Sequence, residues 1–175
     1  MRSRLLLLGL LPLMLAACGG GSTASAPPKS TATTAAPSTK SLTITVTSVV
    51  TASRAHRQSP KVMTPGDSID FADELLNTAP RFGKAANEKI GSDKGTMTFT
   101  SQSTATMKGV ATLPDGTIVF QGDVTVLPNN RVTVPVTGGT GTYLHASGTL
   151  LVGAGTTRAT NTYRLVIGTI QGPIA

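Results

Sequence analysis

From residue 42 onward the chain alternates apolar and polar positions with a period of two. Leu42, Ile44 and Val46 alternate with Thr43, Thr45 and Thr47, the pattern of a strand with one packed face and one wetter face. Ile69, Phe71 and Leu75 repeat it, as do Met97 with Phe99, and Val132, Val134 and Val136. Further strands are predicted over 104–113, 117–126, 143–152 and 161–169. Turn residues punctuate them: Pro114-Asp115-Gly116, Pro128-Asn129-Asn130, Gly138-Gly139-Thr140-Gly141 and Gly153-Ala154-Gly155 all tolerate positive φ. Only 73–77 could be read as helical, and it is short. Roughly seven to nine strands joined by short turns predict an all-β antiparallel sandwich or closed barrel. Threonine on both strand phases favours the barrel, because a closed sheet pairs its backbone throughout and leaves no edge to protect.

The first 40 residues follow a different rule. Arg2 and Arg4 precede an apolar run from Leu5 to Leu15, the length of a signal-peptide core and well short of the ~20 residues a spanning helix needs. The run ends in Leu15-Ala16-Ala17-Cys18, which resembles a bacterial lipoprotein lipobox, and Cys18 is the only cysteine. The resemblance implies that 1–17 is a signal peptide and that Cys18 becomes the acylated N-terminus. Two or three acyl chains would hold the protein persistently on the outer side of a membrane, since each buried methylene adds ~0.8 kcal/mol. The alternative is a soluble secreted protein cut at an ordinary small-residue site. Residues 19–40 contain only Gly, Ser, Thr, Ala, Pro and Lys, so 18–40 reads as a disordered tether spanning roughly 25 Å. A single barrel domain over 41–175 remains.

Composition narrows the chemistry. With Cys18 acylated, no cysteine is left for disulfides, thiolate metal sites or a thiol nucleophile. With only His56 and His145, a histidine metal site is not expected either. The net charge of +7 drops to +5 without Arg2 and Arg4, and to +3 for residues 41–175, which also lack Lys29 and Lys40. Six aromatic residues, none in a basic stripe, argue against nucleic-acid binding.

The segment Gly116-Thr-Ile-Val-Phe-Gln-Gly-Asp123, then Arg131, then Val134-Pro-Val-Thr-Gly-Gly-Thr-Gly-Thr-Tyr143-Leu-His145-Ala-Ser-Gly148, resembles the C-terminal half of dirigent proteins and allene oxide cyclases. Gly66-Asp67-Ser-Ile-Asp-Phe-Ala-Asp73-Glu-Leu75 is similar to an earlier cyclase motif, and Ser59-Pro60 to the loop before it. The resemblance implies an eight-stranded antiparallel β-barrel of the lipocalin-like kind, an enclosed apolar cavity, and no metal or organic cofactor. It also implies cyclase or stereocontrol chemistry on a fatty-acid, phenolic or polyketide substrate. The plant members assemble as trimers or similar oligomers, which leaves a homo-oligomer open.

Carried over position by position, the resemblance is mixed. Ser59 and Pro60 match a ligand-holding loop, and Asp73 falls where the cyclase has a water-binding asparagine. The cyclase glutamate and asparagine positions are taken by Thr51 and Ser53. Asp123 and Arg131 lie near a dirigent acid and cation, one residue further apart here. The catalytic candidates are therefore Asp73, Asp123 and Arg131, and the ligand-binding candidates Ser59, Pro60, Tyr143 and His145. Asp73 shares its phase with Ile69 and Phe71, so an inward position would suit it to acid catalysis; the alternative is an aspartate bonding a turn. Asp123 with Arg131 is equally readable as a surface pair worth under ~1 kcal/mol. Tyr143 and His145 share a phase and are candidates for a pocket mouth. Two functions follow: a barrel that binds a small apolar molecule, or a cyclase or isomerase acting on one. Ionisable groups in the interior would favour the second.

Overall fold

The computed structural model describes residues 38–60, 62–126 and 131–169. The signal segment, Cys18 and all of the tether up to residue 37 lie outside them. Eight antiparallel strands follow in order: β1 (Ser38–His56), β2 (Ser68–Asn77), β3 (Lys89–Phe99), β4 (Thr104–Leu113), β5 (Gly116–Thr125), β6 (Val132–Gly139), β7 (Ala146–Val152) and β8 (Arg158–Thr169). Each pairs with the next, and β8 returns to β1 from Ser38↔Thr169 to Val49↔Arg158, so the sheet closes into a barrel. β1 begins at Ser38, so the last three residues read as tether are strand. Residues 73–77, read as a candidate helix, continue β2, because Leu75 and Asn77 keep the inward phase.

Inward positions carry the core. Ile44, Val46, Leu75, Ile118, Phe120, Val134, Leu150 and Tyr163 are all essentially buried. Phe120 stands opposite Gly109 in the β4–β5 ladder, and its ring occupies the space where a Cβ on Gly109 would lie, 2.5 Å from Cζ. Glycine there lets an aromatic side chain lie flat against the neighbouring strand.

The two ends of the barrel differ. At one end the β2–β3 connection is tied down by Asn77, whose buried amide donates to the carbonyls of Arg81 (2.8 Å), Lys84 (3.1 Å) and Ala85 (3.2 Å). Phe82 packs against the core beneath it, with the Arg81 guanidinium 5.1 Å from its ring centre. Tyr143, in a short 3₁₀ turn (Gly141–Tyr143), fills the same end. At the other end, inward residues toward the β1–β2 loop (Ile69, Phe71, Asp73, Met97, Val152) keep part of their surface accessible, and Val50 is 36% exposed. There β1 outruns β8, and residues beyond Val49 pair only with β2 through a bulge between Val50 and Ala52. That end is packed as well on the β4–β6 side, where Ala105, Val124 and Val132 are buried; inward surface stays accessible on the β1–β3 side.

Candidate functional site

Two carboxyl groups meet inside the barrel. Asp73 and Asp93 are direct cross-strand partners in the β2–β3 ladder. Both belong to the inward phase, Asp73 with Phe71 and Leu75, Asp93 with Gly95 and Met97. Asp73 is half-buried, and Asp93 is only 4% exposed. They sit toward the β1–β2 end of the lumen, above the fully packed half.

Their neighbours come from the opposite side of the closure. Ser48, the next inward position after Val46 on β1, donates from Oγ to Asp73 Oδ2 at 2.6 Å. Tyr163 on β8 reaches across the lumen, and its hydroxyl donates to Asp93 Oδ2 over 3.5 Å. One oxygen of each carboxyl group, Asp73 Oδ1 and Asp93 Oδ1, is buried with no donor from outside the pair. Such atoms are costly in a low-dielectric interior, where an unmet acceptor loses its full hydration.

The electrostatics follow from this crowding. Burial first, then the neighbouring Asp73 carboxylate, push the Asp93 pKa up to about 7; a hydrogen bond between the two carboxyl groups acts in the same direction, and the Tyr163 hydroxyl opposes it. Near neutral pH the pair therefore holds a proton that can be given or taken. Tyr163 is pushed well above the ordinary phenol range by burial and by Asp93, so it stays a neutral donor.

The candidates from the sequence lie in different places. Asp73 is in the lumen. Asp123 and Arg131 are exposed on the outer face, because Val124 and Val132 take the inward phase beside them. Asp123 accepts from the Thr106 hydroxyl at 2.7 Å, and Arg131 borders an outer-face depression of about 290 Å³ with Leu151 and Gly153. The structure places both on the outer face, away from Asp73. Tyr143 is buried at the end tied down by Asn77 and His145 is exposed with φ +59°, since the 3₁₀ turn breaks the alternation that would have put them on one face. The two side chains therefore do not share a face. Ser59 and Pro60 lie in the loop after β1, at the β1–β2 end of the barrel.

That loop is organised by Asp67, a residue of the resemblance motif. Its carboxylate accepts the backbone N–H groups of Gln58 and Thr64, both at 2.8 Å, and the Thr64 hydroxyl at 3.0 Å. These donors, the Thr64 amide first, hold its pKa below the ordinary carboxylate value. Asp67 shapes the rim rather than the chemistry.

Asp93, Tyr163 and Ser48 were not singled out from the sequence, yet each was reachable by extending a period of two. Counting back from Phe99 and Met97 gives Gly95 and Asp93; counting forward from Val46 gives Ser48; counting back from Leu165 gives Tyr163. What that counting cannot supply is that the three converge, since β8 and β3 are not neighbouring strands. Among the described residues no group of three or more His, Cys, Asp or Glu side chains is arranged to hold a metal ion.

The sequence matches no protein-family model and no curated protein. Solved structures do match. A pyocyanin demethylase is similar at 26% identity with a TM-score of 0.60, over 71% of this chain and 99% of its own. AbnU, an exo-specific intermolecular Diels-Alderase, is similar at 17% identity and TM-score 0.59, over 74% and 98%. A pterocarpan synthase dirigent protein is similar at 16% and 0.55, over 79% and 89%. The fold is that of the dirigent and cyclase barrels. Among the described residues, Asp73, Asp93 and Tyr163 are the ionisable groups that meet in the interior.

Proposed function

We propose that this chain is an exported, lipid-anchored barrel that admits a small apolar molecule and acts on it as a cyclase or stereocontrolling isomerase. One observation carries the catalytic half of this reading: two carboxyl groups, Asp73 and Asp93, are cross-strand partners on the inward face of the barrel, with the Tyr163 hydroxyl on Asp93. Asp93 is the proton donor and acceptor. Asp73, oriented by Ser48, keeps that proton on Asp93 by like-charge repulsion, and Tyr163 positions Asp93 from across the lumen. Ile69, Phe71 and Met97 surround the approach and would hold the substrate in one orientation. A positioned acid–base group contributes roughly 10²–10⁴-fold, and fixing the reacting geometry contributes more. The cyclase and dirigent neighbours support the reading by sharing the fold.

The test is an untargeted comparison of an apolar metabolite extract incubated with wild-type protein and with Asp93→Asn. The expected result is a compound that changes retention time at constant mass with wild type, at a rate roughly 10²-fold lower in the variant. An extract unchanged by wild type would sink the catalytic reading and leave binding alone, and equal change by both proteins would remove Asp93 from the chemistry.

The anchor rests on Leu15-Ala16-Ala17-Cys18. On detergent phase separation the wild-type protein is expected in the detergent phase, with intact mass raised by acyl chains on Cys18, whereas Cys18→Ala partitions into water. An unmodified wild-type mass would refute it.

A further inference from the structure

Resting on the lipid anchor proposed for Cys18, the place where the chain enters the barrel singles out one of its ends. β1 begins at Ser38, and the pairs Lys40↔Ile167 and Ile167↔Ala146 set its first residues level with the end of β8 and the start of β7. The β2–β3 connection lies at the same end, since Thr78 Oγ1 donates to the Thr45 carbonyl at 2.9 Å and the Arg81 guanidinium to that of Thr43 at 2.8 Å. The chain preceding Ser38 therefore joins the barrel beside this connection and the Gly141–Tyr143 turn.

What this end presents is basic, with one apolar point. Arg81 and Lys84 exchange backbone hydrogen bonds, both 3.0 Å, around Phe82 (φ +57°) and Gly83 (φ +70°), a two-residue turn with both central residues left-handed. An aromatic residue rarely adopts that backbone; here Phe82 packs against the core and pins the turn, which holds its two cations in place. Pro80, Arg81, Gly83, Lys84 and Ala85 line a shallow depression of about 440 Å³ at the turn, and Lys40 is exposed at the start of β1. Two of the three carboxylates at this end are engaged within the protein: Glu74 pairs with Lys89 at 2.7 Å, and Glu88 accepts the Ala85 N–H. The third, Asp115 in the β4–β5 turn, stands against Lys40, Arg81 and Lys84. Leu144, just after the 3₁₀ turn, is 52% exposed, the most exposed large apolar side chain among the described residues. Cations also lie toward the β1–β2 loop, Arg54 and Arg57 among them, so charge alone does not choose an end. The entry point of the chain does.

We propose that this end docks on an anionic lipid bilayer, with Lys40, Arg81 and Lys84 against headgroup phosphates and Leu144 inserted among them. Each Lys or Arg brought beside such a surface strengthens attachment about fivefold, an effect confined to roughly a Debye length. A tether spanning roughly 25 Å keeps the barrel within reach but does not by itself orient it. Docked in this way, the barrel turns its accessible β1–β3 side away from the bilayer, so its ligand arrives from the aqueous side rather than from the acyl chains.

The test uses the acylated full-length protein in vesicles of phosphatidylcholine with or without phosphatidylglycerol. With the Cys18 sulfur acylated, an introduced cysteine is the only free thiol, and Ala86→Cys in the β2–β3 connection and Ala154→Cys in the β7–β8 turn place a fluorophore at exposed positions on the two ends. Flotation with the vesicles reports the anchor; quenching by nitroxide-headgroup lipid reports which end meets the surface. With phosphatidylglycerol present, the Ala86→Cys label is expected to be quenched several-fold more than the Ala154→Cys label. Most of that difference should vanish in phosphatidylcholine alone, in high salt, and when Lys40→Gln and Lys84→Gln are combined. Equal quenching of the two labels, or stronger quenching at Ala154→Cys, in protein that floats would overturn the docking and leave the anchor standing. A bias toward Ala86→Cys that ignores lipid charge would overturn the role of the cations, since the tether alone accounts for it. Protein left behind by floating vesicles would overturn the anchor and the docking together.

Discussion

Raising the pH from about 5 to about 8 is expected to lower the stability of the wild-type barrel, and Asp93→Asn is expected to abolish most of that fall. The folded state holds Asp93's proton until about pH 7, whereas the unfolded chain releases it near the ordinary value of 3.8. Between those values the folded protein binds more protons than the unfolded one, so stability decreases as pH rises. The stabilisation is complete below the unfolded pKa and gone above about 7. Between about pH 5 and 8 the difference corresponds to roughly 2.7 kcal/mol, or on the order of 10 °C in Tm for a domain of this size. Asp67 and Asp70, whose pKa values are lowered by hydrogen bonds from Thr64 and Thr96 respectively, act in a separate window: their stabilisation is lost only as pH falls below about 4. Thermal melts of both proteins across pH would decide it. A wild-type Tm that is flat or rises between about pH 5 and 8, or an Asp93→Asn profile that parallels wild type, would show that the carboxyl pair is not buried as described.

Phe120→Ala is expected to destabilise the barrel by about 3–5 kcal/mol, the largest effect of any single truncation in the packed half. The ring is completely buried and wedged onto Gly109, which has no side chain with which to refill the space. Urea unfolding should show a lower midpoint with an unchanged slope. A loss below about 1 kcal/mol would mean that the core around Gly109 is loosely packed rather than filled.

Much of the fold was legible because a strand's two faces see different surroundings and the sequence records the difference. Val132, Val134 and Val136 alternate with polar residues, and the structure buries those three and exposes Arg131, Thr133 and Pro135. The same alternation, read more strictly, would have placed Asp123 outside, since Val124 next to it is the inward residue. Tyr143 and His145 failed for a different reason. Their shared phase holds only in a continuous strand, and Gly141–Tyr143 forms a 3₁₀ turn, so strand β7 starts at Ala146. Asp93 went unnoticed because glycine at 91 and 95 leaves its stretch of β3 without an obvious apolar stripe.

The sequence by itself determined the alternation of faces, the turns, a closed all-β architecture, and the single cysteine behind an apolar leader. These are local properties, written in residues a few positions apart. Only the tertiary structure decided that Asp73 faces Asp93 and that Tyr163 reaches them from the far wall. It also decided that, among the described residues, no cation joins them and that inward surface stays accessible on the β1–β3 side. Strand register and ring closure bring together residues tens of positions apart, and the proton affinity of a carboxyl group is set by those distant neighbours rather than by the residues beside it in the chain.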